Sequence, residues 1–272
     1  MFGDWTDDIA ALAEQFQQSA PFEHVVIPNF FSADVLARLM AAFPPVEASI
    51  AAPAWKHYDN PIEQKYALND FTHPALSDVK GVFDGLQTDA TVALMRRITG
   101  IHDLETDPHL HGAGLHAYPK GGKLDVHLDY SIHPISGKER RLNLIVYLNR
   151  DWKEEYGGHL QLWDAELETC TELILPTLNT AVLFRTSDIS YHGVPKPISC
   201  PEGMFRKSLA IYYVSPARAN IPLRPKAEFS PLPWQPVDDR LRRLYDIRRT
   251  RLITADDLAE WPEWRTSGGG YW

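Results

Sequence analysis

The chain has 272 residues, 44% of them apolar, with 11 Phe and 11 Tyr, which is enough for an ordinary core in one large domain or two small ones. A formal net charge of −9 works against a surface that tracks phosphates, and two cysteines, Cys170 and Cys200, are too few for a disulfide framework or a cysteine-ligated zinc site. The acidic, polar opening and the lack of a long apolar run point to a soluble cytoplasmic protein with neither a membrane nor a nucleic acid as partner.

Residues 1–105 read mainly as helices. Asp4 to Gln18 carries Ile9, Leu12 and Phe16 at helical spacing, FEHVVIPNF reads as a strand, and Ser32 stands where it can cap a helix running from Ala33 to Phe43. Paired prolines stop that helix. From Ala51 to Thr72 the pattern is irregular, with His57, Tyr58, Asn60 and Lys65 in a loop-like setting, and helical stretches follow near Leu76 to Leu86 and Ala90 to Thr99. This region is expected to buttress what comes next.

Within residues 106–218 the apolar period changes to two. GAGLHAY, KLDVHLDY, RLNLIVYLN, HLQLWD, TELILP, TAVLFRT, SYHGVP and RKSLAIYYV recur between turn signals such as Lys120-Gly121-Gly122 and Tyr156-Gly157-Gly158. Such a run of strands with no helical pattern between them predicts a mainly β fold, a jelly roll of two facing antiparallel sheets with a helical buttress. Residues 219–272 form a proline-rich arm, a charged amphipathic helix near Asp238 to Arg251 with a docking stripe of Leu241, Leu244, Tyr245 and Leu252, and a glycine-rich tail.

One pair of residues in VHLDY bears on chemistry. Residues two apart on a strand emerge on the same face, so His127 and Asp129 point together, and burying them side by side is costly unless a metal or a partner charge offsets it. The spacing alone occurs often by chance. His192, in the late run SYHGVP, can lie across from the pair in a double-sheet fold. Two His and one Asp on one side of a metal leave the other side open, the arrangement of non-haem Fe(II) oxygenases. Open positions can chelate a 2-oxo acid and admit dioxygen. Arg206, fourteen residues past His192, can grip the far carboxylate of such an acid through two parallel hydrogen bonds, and Ser208 on the same strand face can add a third.

Strand parity agrees. Arg206, Ser208, Ala210 and Tyr212 share one face of the last β run and Lys207, Leu209 and Ile211 the other; Asn143, Ile145 and Tyr147 oppose the apolar stripe Leu142, Leu144, Val146 and Leu148. The stripes are expected against the helices, leaving the mixed faces to line a cavity.

The series LHAYPKGGKLDVHLDY, NLIVYLNRDWKEEYGGHLQLW, SYHGVP and RKSLAIYY resembles the Fe(II)/2-oxoglutarate dioxygenases, in particular their prolyl 4-hydroxylase-like subgroup. The likeness covers Gly112 to Ser215, with EHVVIPNFFSADVLARL weakly similar to the subgroup's start. The resemblance implies a double-stranded β-helix with iron on His127, Asp129 and His192. It implies 2-oxoglutarate on Arg206, with Tyr118 and Tyr147 bonding the distal carboxylate and Ser208, Asn143 and Ile145 lining the same pocket. Dioxygen as co-substrate and ascorbate as a candidate reductant come with it. Halogenating relatives replace the metal-binding Asp by a small residue, so Asp129 disfavours halogenation.

Plainer readings apply elsewhere. His109 and His111 read as a surface or core pair, His116 as a structural histidine, His133 as part of a solvated loop, and Lys138 to Arg141 as a solvated strand entry. Trp152 and Trp163 read as core. The expected activity is hydroxylation of an unactivated C–H bond of a small or carrier-presented molecule, of amino acid or sugar type, with 2-oxoglutarate decarboxylated to succinate. The alternatives are a protein prolyl or other residue hydroxylase, then nucleic acid demethylation, and from another class a jelly-roll binding scaffold without turnover.

Overall fold

Each of the eight period-two runs forms a strand, and their alternation decides which way the sheet faces. The computed structural model describes residues 1–46 and 55–264, so the glycine-rich tail and the first residues of the irregular stretch lie outside the described residues. In chain order the elements are α1 (Ile9–Gln18), β1 (His24–Ile27), α2 (Ala33–Ala42), β2 (Lys56–Asn60), β3 (Glu63–Leu68), α3 (Ser77–Leu86) and α4 (Asp89–Thr99). There follow β4 (Glu105–Thr106), β5 (Gly114–Tyr118), β6 (Lys123–Leu128), β7 (Glu139–Tyr147), β8 (Leu160–Trp163), β9 (Cys170–Ile174), β10 (Ala181–Arg185), β11 (His192–Val194), β12 (Arg206–Ser215), β13 (Glu228–Phe229) and α5 (Asp239–Arg248).

A single antiparallel sheet runs β1-β10-β7-β12-β5-β3-β6-β11-β8-β9, with β4 on β12, β2 on β3 and β13 on β6. It curls back on itself, because Tyr147, Val182 and Phe184 of one half share a buried cluster with Leu160, Leu162 and Ile174 of the other. The outer face of β7, β10 and β12 carries Leu142, Leu144, Val146, Leu183, Leu209 and Ile211 into the largest core, where Phe16, Leu39, Val79, Phe83, Met95 and Ile98 of the helices meet them. Burial of such side chains contributes roughly 1.5–3 kcal/mol each, so this buttress is the main support of the cavity floor. Lys207, on the same face, stays half-buried with its ammonium 4.9 Å from the centre of the Phe43 ring.

The stretch expected as loop contains the hairpin β2–β3. Neither strand alternates cleanly, because β3 bridges the two halves, pairing with β5 through Tyr66, Ala67 and Leu68 and with β6 through Glu63 and Gln64. Tertiary pairing, not an apolar face, makes it a strand. Asn60 turns the hairpin, its side-chain oxygen accepting from the amides of Ile62 and Glu63 at 3.1 Å each.

The C-terminal arm docks on β6. Leu241, Leu244 and Tyr245 of α5 pack with Ile62, Phe229, Ile253 and Leu258, and the Tyr245 hydroxyl donates to Asp125 Oδ2 at 2.8 Å. Asp238 caps α5 through the Leu241 amide at 2.9 Å. Among the described residues no helix is long and apolar enough to cross a membrane.

Candidate active site

β6 and β11 are neighbours in register at His127 and His192, which places both imidazoles on the concave side of the sheet. Their ring centroids lie 4.4 Å apart, and Asp129, one residue beyond the end of β6, brings its carboxylate between them. His127 Nε2 is 3.7 Å from Asp129 Oδ1, and His192 Nε2 is 3.7 Å from Asp129 Oδ2. All three residues are buried, and one ligand atom from each lies within 4.8 Å of the others.

The backbone fixes which nitrogen of each ring faces the centre. His127 Nδ1 lies 2.9 Å from the Asp125 carbonyl and His192 Nδ1 lies 2.9 Å from the Ser190 carbonyl. A carbonyl only accepts, so both Nδ1 atoms carry the proton and both Nε2 lone pairs point inward. Phe229 packs on His127 at 5.0 Å and Phe184 on His192 at 4.7 Å, holding the rings in place. Burial and the nearby His127 push the His192 pKa down to about 4. Burial alone would raise Asp129, but Arg140 and the imidazoles hold its carboxyl well below the usual carboxylate range. Two inward lone pairs and one carboxylate form a donor set that suits a borderline divalent cation, and iron fits it.

A cavity of about 380 Å³ opens over this triad. Its floor consists of cross-strand rows set by register. Tyr58, Lys65, Tyr118 and Arg206 stand in one row across β2, β3, β5 and β12, and Lys56, Ala67, His116, Ser208 and Tyr147 in the next, continuing onto β7. Arg206 is only 2% exposed, its Nε donates to the Gly158 carbonyl at 2.6 Å, and its guanidinium lies 5.2 Å from the Tyr118 ring and 4.8 Å from the Tyr147 ring. Gly158 has φ +72° and packs its backbone on Arg206, which requires the missing Cβ. Tyr118, Asn143, Ile145 and Ser208 face the cavity as parity predicts. Tyr147 lies one layer behind, fully buried beneath Arg206, with a hydroxyl that has no hydrogen-bond partner. Burial pushes that phenol up to about 12, so it remains a donor. Asn143 Oδ1 and His116 Nε2 are also buried without partners. The Arg206 guanidinium, the Ser208 hydroxyl on the same strand face and the unpartnered Tyr147 hydroxyl against Arg206 are donors that suit the carboxylate of a small dianion such as 2-oxoglutarate.

Several plainer expectations are corrected. His116 lines the cavity, and burial together with Lys65, Arg206 and Arg140 holds it neutral with a pKa of about 3. His111 also faces the cavity. His133 is not solvated but fully buried, with Nδ1 accepting from Ile135 and Ser136 amides and Nε2 lying 3.1 Å from Asp107 Oδ2. His109 and His111 form no part of a metal-like cluster among the described residues. The entry of β7 is buried as well, Glu139, Arg140 and Arg141 being under 9% exposed. Arg140 reaches the cavity because a bulge lies between Tyr213 and Val214 of β12, paired with Leu142 and Arg140 respectively. Arg141 is the extra residue, so alternation flips there and plain parity points the wrong way. Trp152 and Trp163 are buried core residues, as read.

Residues 113–214, which carry the triad and Arg206, match the model of the 2OG-Fe(II) oxygenase superfamily. That stretch is a 2OG-Fe(II) oxygenase domain. Its fold is that of the double-stranded β-helix enzymes. A solved prolyl hydroxylase from Trichoplax adhaerens, in complex with a hypoxia inducible factor oxygen degradation domain peptide fragment, is similar with a TM-score of 0.53 at 14% identity, covering 78% of this chain and 94% of that one. A prolyl 4-hydroxylase from Phytophthora capsici is similar with a TM-score of 0.53 at 20% identity, covering 92% of this chain and 77% of that one. Curated proteins gave no match. The matched family implies Fe(II), 2-oxoglutarate and dioxygen, and the His127, Asp129 and His192 donor set fits the metal.

Proposed function

We propose that this oxygenase hydroxylates an aliphatic carbon of a small or carrier-presented molecule, with iron on His127, Asp129 and His192 and 2-oxoglutarate on Arg206. The observation that carries the reading is the convergence of two inward-facing Nε2 atoms and one carboxylate at the base of the cavity. When bound, the metal, 2-oxoglutarate and dioxygen supply the oxidation: the co-substrate leaves as succinate and carbon dioxide, one oxygen atom passing to succinate and the other into the substrate C–H bond.

The chain's own part is positional. Arg206 and Ser208 anchor the distal carboxylate of 2-oxoglutarate, and the protonated Tyr147 phenol beneath adds a donor. Asn143 Nδ2 donates to Asp129 Oδ2 at 3.2 Å and steadies that carboxylate. Phe229, Leu252 and Arg248 from the C-terminal arm close one side of the cavity, which supports a compact substrate and limits water before it enters. The test is succinate release by the iron-loaded protein against amino acids, sugars and peptides, followed by mass analysis of the compound that stimulates it. A gain of one oxygen on a small molecule supports the reading; stimulation by proline-containing peptides alone replaces it with a residue hydroxylase, and no succinate under any condition leaves a binding scaffold.

A further inference from the structure

The cavity is cationic in an acidic protein. Lys56, Lys65, Arg140, Arg206, Lys226 and Arg248 line it, against the carboxylates Glu63 and Asp129, while the whole chain carries 27 Lys and Arg against 36 Asp and Glu. On the iron and 2-oxoglutarate reading, the dianion is shared between the ferrous ion and Arg206, and Asp129 is already paired with Arg140. Lys56, Lys65, Lys226 and Arg248 then face Glu63 alone, an excess of positive charge that neither cofactor answers.

Lys65 is the most telling of these. Its side chain is 13% exposed, its ammonium lies 3.8 Å from Glu63 Oε2, and it makes no hydrogen bond to a protein group among the described residues. Glu63 is bonded instead by Arg248, whose Nε donates at 3.0 Å. The ammonium lines the cavity, where its three donors are available to an anionic ligand. Lys65 shares its row with Tyr118 and Arg206, but its ammonium leans over the Tyr58 ring at 5.5 Å, toward β2 and away from β12. Two strand spacings, about 10 Å, separate the backbones of Lys65 and Arg206. Lys65 and Lys56 come from the β2–β3 hairpin and Arg248 from α5, so this wall belongs to segments outside residues 113–214. Those segments are where a specificity distinct from the shared chemistry can reside.

We propose that the prime substrate is an anion, a small molecule whose carboxylate or phosphate group docks on the Lys65 ammonium, with Lys56 at the rim and Arg248 beside it. The proposal rests on the iron and 2-oxoglutarate reading and names the substrate class for it. Anchoring the charged end on this wall turns the remainder of the molecule toward His127, Asp129 and His192, and Lys56 and Lys226, which have no ion-pair partner among the described residues, draw the anion in.

The test is calorimetric titration of the anaerobic protein, loaded with iron and 2-oxoglutarate, using matched probes: amino acids against their amides, and sugar phosphates against the parent sugars. The first pair tests a carboxylate and the second a phosphate. The expected result is that an acid member binds about tenfold or more tightly than its neutral counterpart. Lys65→Met should then weaken the acid by about tenfold with 2-oxoglutarate affinity changed by less than about threefold, whereas Arg206→Met should do the reverse. Lys65→Arg should restore part of the loss, and Lys65→Gln serves where Lys65→Met does not fold. Equal or absent binding of acid and neutral members overturns the proposal, as does a Lys65 variant that weakens 2-oxoglutarate as much as the Arg206 variant. Failure of the protein to bind 2-oxoglutarate at all contradicts the underlying reading instead, and calorimetry of that loading step registers it separately.

Discussion

Arg140 Nη2 lies 3.1 Å from Asp129 Oδ2, with the guanidinium packed against Tyr212 at 3.1 Å and Tyr130 at 4.4 Å from their ring centres. The pair couples the bulge in β7 to the central carboxylate of the triad. Arg140 keeps Asp129 ionised and aimed, while the two tyrosines prevent it from swinging away. Arg140→Met removes the charge but keeps much of the packing volume. The expected outcome is a loss of about 10–100-fold in metal affinity or activity, with a smaller change in stability, checked by ferrous ion titration beside a urea melt.

Gly158 holds the backbone of the β8 approach against Arg206. A Cβ there would stand 3.1 Å from Arg206 Cδ and 3.3 Å from Ile198 Cδ1, at a φ of +72° that L side chains rarely adopt. Gly158→Ala is therefore expected to cost about 1–2 kcal/mol of stability and to raise the KM for 2-oxoglutarate, because the displaced group is the one proposed to hold it. Chemical denaturation and succinate kinetics check the two effects separately.

Glu63 supplies a pH-dependent part of the stability. Burial pushes its carboxyl up, but Arg248 and Lys65 more than offset this and the pKa lies below its ordinary value. A carboxyl depressed in the folded state adds stability that is present above its unfolded pKa of about 4.5 and is lost as pH falls through the folded value. Glu63→Gln is expected to cost about 3 kcal/mol at pH 7, since it leaves Arg248 and Lys65 side by side without an anion. The difference between wild type and variant should shrink below about pH 4.5, measured by urea denaturation across pH.

Much of this site was legible in the sequence because strand alternation is a rigid rule. His127 with Asp129, Arg206 with Ser208, and Asn143 with Ile145 each needed only the knowledge that residues two apart share a face, and all six face the cavity. Arg140 was hidden by the bulge at Arg141, which inverts that rule. Lys65 and Glu63 were hidden because β3 owes its extended form to pairing with β5 and β6 and has no apolar alternation of its own. His133 was misjudged for a related reason: IHPISG is polar and turn-like, and only Asp107, distant in sequence, takes its imidazole into the interior. Tyr147 has the parity of the cavity wall, yet the curl of the sheet sets it one layer behind Arg206.

The most direct test of the whole account is anaerobic ferrous ion binding by the wild-type chain and by His127→Ala, Asp129→Ala and His192→Ala, followed by addition of 2-oxoglutarate. The account predicts one ferrous ion per wild-type chain, a weak visible charge-transfer band when 2-oxoglutarate is added, and loss of tight binding and of the band in every variant. A variant that takes up iron and develops the band like wild type would contradict it.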